Sequence, residues 1–242
     1  MARFKGADKA NSGGSAVATL TIPNPTHVSG DLLVCVVIVD NGSETISIDG
    51  AVSGWSVATQ QTSVNPSLAV FYNRASGSSE DDLIADSTGS GEMNGITLNL
   101  GDTHATSVIH AVSAVASGSD DDITSQTVTT TEANAYILEI IATRPGSGRQ
   151  FTFMPGVQQL ANSNDEDHTS IAVAGFTQQS AGTTTAHRAI NGGPSGNYVA
   201  ITLAIRDDGN GNIEGQVDPD TAPVTPIHVL AATSSGAYSG DL

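Results

Sequence analysis

"PNPTHVSGDLLVCVVIVDNG", residues 23–42, decides the fold class of this 242-residue chain. Turn-forming residues lead to Asp31, then come eight apolar residues, Leu32 to Val39, then Asp40-Asn41-Gly42. A short β-branched run closed by turn residues at both ends is the pattern of a buried strand. Two further runs, 135–143 and 198–206, are almost as apolar and suit central strands covered on both faces. In the last of these the bulky Val199, Ile201, Leu203 and Ile205 alternate with the small Ala200, Thr202 and Ala204. One face therefore packs into a core, and the other lies under a loop or a neighbouring subunit.

Working outward, more strands are expected at 15–22, 44–48, 55–62, 67–74, 95–100, 106–115, 123–131 and 169–179. Turn signals recur along the chain at the short spacing of sandwiches and jelly rolls. The expected fold is all-β, a jelly-roll-like β-sandwich with an extended C-terminal tail. Only 80–87, "EDDLIADS", reads as a turn of helix, and in "SQTVTTT" the Thr and Ser suit a sheet face open to water. Aromatic residues make up 4% of the chain, so the core falls to Val, Ile, Leu and Ala, with Trp55 closing one end.

Three segments are expected: an N-terminal arm over 1–14, a β-sandwich domain over 15–206, and a linker with a tail over 207–242. The arm holds the only lysines, Lys5 and Lys9, in "MARFKGADK". The tail contains Pro219, Pro223 and Pro226, which bar a continuous helix or central strand. Asp and Glu number 25 against 8 Lys and Arg, a formal net charge of −17. Such a body repels phosphates, so no nucleic-acid partner is expected. No apolar run approaches the roughly 20 residues that span a bilayer, so no membrane partner is expected either. No apolar stretch follows the basic start, as a secretory signal would require. The expected setting is a bacterial cytoplasm.

Cys35 sits inside the apolar run and reads as packing, since unpaired Cys is among the most buried residue types. The acidic groups 80–82, 120–122, 165–167 and 207–208 read as solvated turns. Asp208 to Glu214 begins like a calcium loop, but Ile213 stands where its glycine belongs and Pro219 where its bidentate Glu belongs. His27, His104, His110, His168, His187 and His228 show no metal-ligand spacing. "GGPSG", 192–196, misses the nucleophile elbow by one residue, and "GNGNIEG", 209–215, misses the dinucleotide fingerprint. No catalytic, cofactor or metal residue is therefore assigned, and no enzyme activity is expected. A host-glycan groove would need stacking aromatics, for which Trp55, Tyr72, Phe151, Phe153 and Tyr198 are the candidates.

The order "GDLLV" (30–34), "GW" (54–55) and "YNRA" (72–75) resembles a group of tailed-bacteriophage virion proteins. In the second half "ITSQTVTTTEANAYILEIIAT", "TSIAVAGFTQQSAGTTTAHRAI" and "NYVAITLAI" continue the resemblance, which spans roughly 15–206. Members of the group are capsid-decoration, head-fibre or tail proteins. The resemblance implies a β-sandwich of the virion that is often a homo-oligomer, and it brings no catalytic residues. The function expected is a capsid decoration or cement protein that grips the major capsid protein, or other virion proteins, through its terminal arms. The alternatives are a tail or head-to-tail component and a carbohydrate-binding module for host adsorption.

Overall fold

The computed structural model describes residues 1–144, 150–165, 169–191 and 195–209. The described chain is all-β, built from antiparallel sheets with no helix. Eight strands fill its first half: β1 (Arg3–Asn11), β2 (Val17–Ile22), β3 (Leu32–Val39), β4 (Ile46–Ile48), β5 (Ser56–Gln61), β6 (Ser67–Arg74), β7 (Leu83–Gly91) and β8 (Met93–Gly101). The second half opens with β9 (Ile109–Val112), β10 (Ala116–Asp120), β11 (Asp122–Thr124), β12 (Thr129–Thr130) and β13 (Ala135–Arg144). It ends with β14 (Phe151–Phe153), β15 (Gln158–Asp165), β16 (Thr169–Gln178), β17 (Gly182–Thr183), β18 (Arg188–Asn191) and β19 (Gly196–Ile205).

The strand β3 lies in the middle of a five-stranded sheet of order β1-β8-β3-β6-β5, and all eight of its residues are buried. Period-two alternation splits them between two cores. Leu32, Val34, Val36 and Ile38 join Leu138, Ile140, Ile201 and Leu203 of a second sheet, of order β10-β19-β13-β16-β15. Cys35, Val37 and Val39 turn the other way and meet Leu20, Ile22, Ile46 and Leu83 from a small sheet of order β2-β7-β4. Each such side chain contributes roughly 1.5–3 kcal/mol by leaving water. The second large sheet is covered on its far side in the same way, by β11-β18-β14 and by the pair β12-β17. Ala200 and Ala204 face that cover, so the small-residue face of β19 lies under strands of its own chain.

Residues 1–14 depart from the expected arm. Residues 3–11 form β1, paired with β8 from Arg3↔Gly101 to Asn11↔Asn94. Their basic groups are engaged within the chain: Arg3 with Asp102 at 2.9 Å, Lys5 with Asp31 at 2.6 Å, and Lys9 with the Asn162 carbonyl at 3.0 Å. Residues 83–91, partly read as helical, form β7, with Leu83 and Ala85 pointing inward. The segment 123–131 is two strands, and its Ser125 and Thr130 are buried while Thr124 and Thr129 are exposed. The expected tail, 207–242, lies outside the described residues beyond Gly209.

The second half repeats the strand order of the first. The orders β1-β8-β3-β6-β5 with β2-β7-β4 become β10-β19-β13-β16-β15 with β11-β18-β14. Registers agree as well. Cys35 lies between Phe71 and Thr97, and Glu139 lies between Ala174 and Thr202. A bulge falls between Val57 and Thr59 beside Phe71, and another between Gln159 and Ala161 beside Ala174. In this alignment Ser67-Leu68-Ala69-Val70 matches Ser170-Ile171-Ala172-Val173, and Ile96-Thr97-Leu98 matches Ile201-Thr202-Leu203.

Candidate functional site

Among the buried polar clusters of the described residues, two lie one in each half. The first lies where β3 begins and β6 ends. Gly30 turns the chain at φ 90°, a conformation that disfavours a side chain. This brings its N–H to the Ala75 carbonyl at 2.8 Å and the Ala75 N–H to the Asp31 carbonyl at 2.9 Å. The buried Asp31 carboxylate then accepts from Lys5 Nζ at 2.6 Å, the Val28 N–H at 3.1 Å and Asn99 Nδ2 at 3.1 Å. Burial alone would push this carboxyl up, but Lys5, Val28 and Asn99 outweigh it and hold it below the ordinary value of 3.8. Arg74 donates to the carbonyls of Gly30, Thr103 and His104 and to Thr103 Oγ1. Burial lowers the guanidinium's proton affinity, and the Asp31 charge offsets part of that. Gly30-Asp31 and Arg74-Ala75, two of the segments that carry the resemblance, thus form one fastening. Its work is to hold loop 23–31 and the junction after β8 against the end of the sheet.

The second cluster is the trio of the buried Ser125 and Glu139 with the partly buried His187. Ser125 Oγ donates to Glu139 Oε1 at 2.7 Å, and His187 Nδ1 meets the same oxygen at 2.8 Å. The His187 backbone N–H donates to Ser125 Oγ at 2.8 Å. The side chain of Glu139 is fully buried and that of His187 is 15% exposed. These residue types serve nucleophilic catalysis when the hydroxyl bonds the imidazole. Here the hydroxyl bonds the carboxylate instead, and no Ser125–imidazole hydrogen bond is formed. The arrangement fastens the covering strands to β13. Sequence reasoning passed over Glu139; the signal was a single charge inside the apolar run "AYILEIIAT". Its counterpart in the first half is Cys35, fully buried, whose thiol burial pushes up to about 12 while Thr97 offsets a part.

The remaining weighed residues are scattered. Glu80 caps its own turn, accepting from Ser76 N–H at 2.6 Å, Ser76 Oγ at 2.7 Å and Gly77 N–H at 3.1 Å. These bonds hold its carboxyl below the ordinary range. Asp120 accepts from the N–H groups of Asp121 and Asp122, and Asp122 pairs with Arg188. His27 is buried, with Nδ1 2.7 Å from the Pro25 carbonyl. His110 accepts the Thr131 N–H on Nε2 at 2.9 Å, and its Nδ1 lies 3.0 Å from Arg206 Nη2. Among the described residues no group of three or more His, Cys, Asp or Glu is placed to hold a metal ion. His168, His228, residues 166–167 and the candidate loop beyond Gly209 lie outside the described residues. Of the five glycan candidates, Phe151 and Phe153 are buried in the core under β13, and Trp55, Tyr72 and Tyr198 pack partly buried against the cores. No exposed aromatic platform is formed among them.

Comparison of the chain with protein-family models, with curated proteins and with solved structures finds no match.

Proposed function

We propose that this chain is a non-enzymatic structural protein of a tailed-bacteriophage particle, a decoration or cement protein on the capsid surface. The observation that carries the reading is the strand order. Each half sets a five-strand path, 1-8-3-6-5 in its own numbering, against a smaller sheet of order 2-7-4, and this repeated two-layer order supports a jelly-roll-like reading, an architecture that recurs in viral capsid and lectin domains. The resemblance over 15–206 points the same way. The acidic body, at −17, suits a molecule repeated many times on one particle without clumping.

Residues 3–11 belong to a sheet, so gripping the major capsid protein falls to the segment from 207 onward. Each grip can be weak, because repetition over a lattice multiplies weak contacts. The polar clusters are fastenings in this reading, and the chain works in the virion as a scaffold, with homo-oligomers on the particle.

The test is quantitative mass spectrometry of purified particles from cells that make the full chain or a chain ending at residue 209. Many copies per particle, lost on truncation, are expected. Absence of the full chain from particles would sink the reading. A handful of copies would move the chain to the tail or the head-to-tail junction.

A further inference from the structure

The two halves share one strand order, and the contact of their edges is reciprocal, as in a dimer of like copies, while the contacts of β8 and β3 with β15 and β16 have no reciprocal of equal extent. In an isologous interface each contact between elements i and j is matched by its reciprocal. The edge strand β1 touches β15, and Lys9 and Asn11 donate to the carbonyls of Asn162 and Asn164 at 3.0 and 3.2 Å. By the shared strand order the counterpart of β1 is the interrupted edge β9/β10, and the counterpart of β15 is β5. The strand β5 indeed touches β9. Between these two edges lies the apolar face of each large sheet, with Val36 and Ile38 of one half against Ile140 and Ile201 of the other in one core cluster. Each half covers its own outer face, so among the described residues the inner face is the large apolar surface it would show alone.

From this we infer that the contact between the halves is a dimer-like interface internalised in one chain, and that the partner of each half in a second setting is the opposite half of another copy. Two chains can then exchange halves. Each closed unit would consist of strands β1–β8 of one chain and β9–β19 of the other. The crossing point is the junction 102–108, where Ala105, Thr106 and Ser107 are exposed. The inference stands on the repeated topology and is independent of the virion reading.

The test uses the full chain with a protease recognition site inserted between Ala105 and Thr106. Native monomer is cut and passed over a sizing column with light scattering. The two halves are expected to travel together at the mass of the uncut 24.5 kDa chain. Separation into single halves would overturn the interface. The same chain is then unfolded and refolded at rising concentration. A dimer of twice the chain mass is expected, which falls to the single-chain mass once both junctions are cut. A dimer that survives cutting is held by another surface and overturns the exchange, as does the absence of any dimer.

Should the insertion prevent folding, full-length Val36→Asp and Ile140→Asp chains are refolded singly and together. Rescue of soluble dimer only in the mixture is expected, because exchange places both intact halves in one unit. Lack of rescue overturns the proposal, and so does solubility of either variant alone, since the inner face would then not be the interface described.

Discussion

Replacing Asp31 by Ala removes the acceptor at the centre of the first buried cluster. Three donors lose a partner. Lys5 Nζ, in a side chain 28% exposed, can turn to water. Asn99 Nδ2 keeps the Thr26 carbonyl at 2.7 Å. The Val28 N–H keeps nothing that Asp31 supplied. Removing one partner of a buried ion pair costs about 3–5 kcal/mol, and the outlet left to Lys5 places this case near ~3 kcal/mol. That is on the order of a hundredfold in the folding equilibrium, or roughly 6–12 °C in Tm for a chain of this size. The effect should depend on pH. The folded-state carboxyl titrates below its ordinary 3.8, so its contribution is full above that value and is lost as pH falls through the lower folded one. Urea and thermal unfolding of both chains at about pH 7 and about pH 2.5 measure this directly. A loss under about 1 kcal/mol at neutral pH, or a gap that does not narrow at the acid pH, would refute the assignment of Asp31 as a buried charged hub.

Three further outcomes are expected. Gly95→Ala sets a Cβ 2.4 Å from Cδ1 of the fully buried Ile22, and overpacking of this kind should cost about 1–3 kcal/mol in thermal unfolding; an unchanged Tm would contradict the layer contact. The Cys35 thiol should resist a disulfide reagent at mildly alkaline pH until the chain is unfolded, and rapid labelling of native protein would count against its burial. Glu139→Ala should destabilise by about 1–3 kcal/mol, and a double-mutant cycle with His187→Ala should give coupling above roughly 1 kcal/mol; additive losses would mean the trio does not act as a unit.

The strands that were legible are those whose two faces are both covered. Leu32–Val39 and Ser67–Arg74 lie at the bounds read from the residues, because a doubly buried strand is apolar at nearly every position. The strand β8 is just as buried, yet Asn94, Gly95 and Asn99 blur its ends, since those polar groups are bonded or packed only in the assembled layers. The edge strands β1 and β15 and the covering strand β7 carry Lys, Gln, Ser, Asp and Gly. One face or one edge of such a strand meets water, so little apolar pattern is required of it. The same limit applied to the clusters. Gly30-Asp31 and Arg74-Ala75 stood out as a pattern, but their joining is a contact across 44 positions that no local spacing announces.

All-β class, the acidic balance, the packing role of Cys35 and the central place of Leu32–Val39 follow from residue type and period two, which act over neighbours in the chain. The repeat of one topology in both halves does not. The longest runs that survive of it in the aligned strands are Ser-x-Ala-Val and Ile-Thr-Leu, because a layer asks for apolar bulk at alternate positions and tolerates any residue that supplies it. Partner strands, the facing of the two large sheets and the conversion of a basic tip into β1 were settled by hydrogen bonds and burial between distant segments. Those energies exist only once the chain has closed on itself.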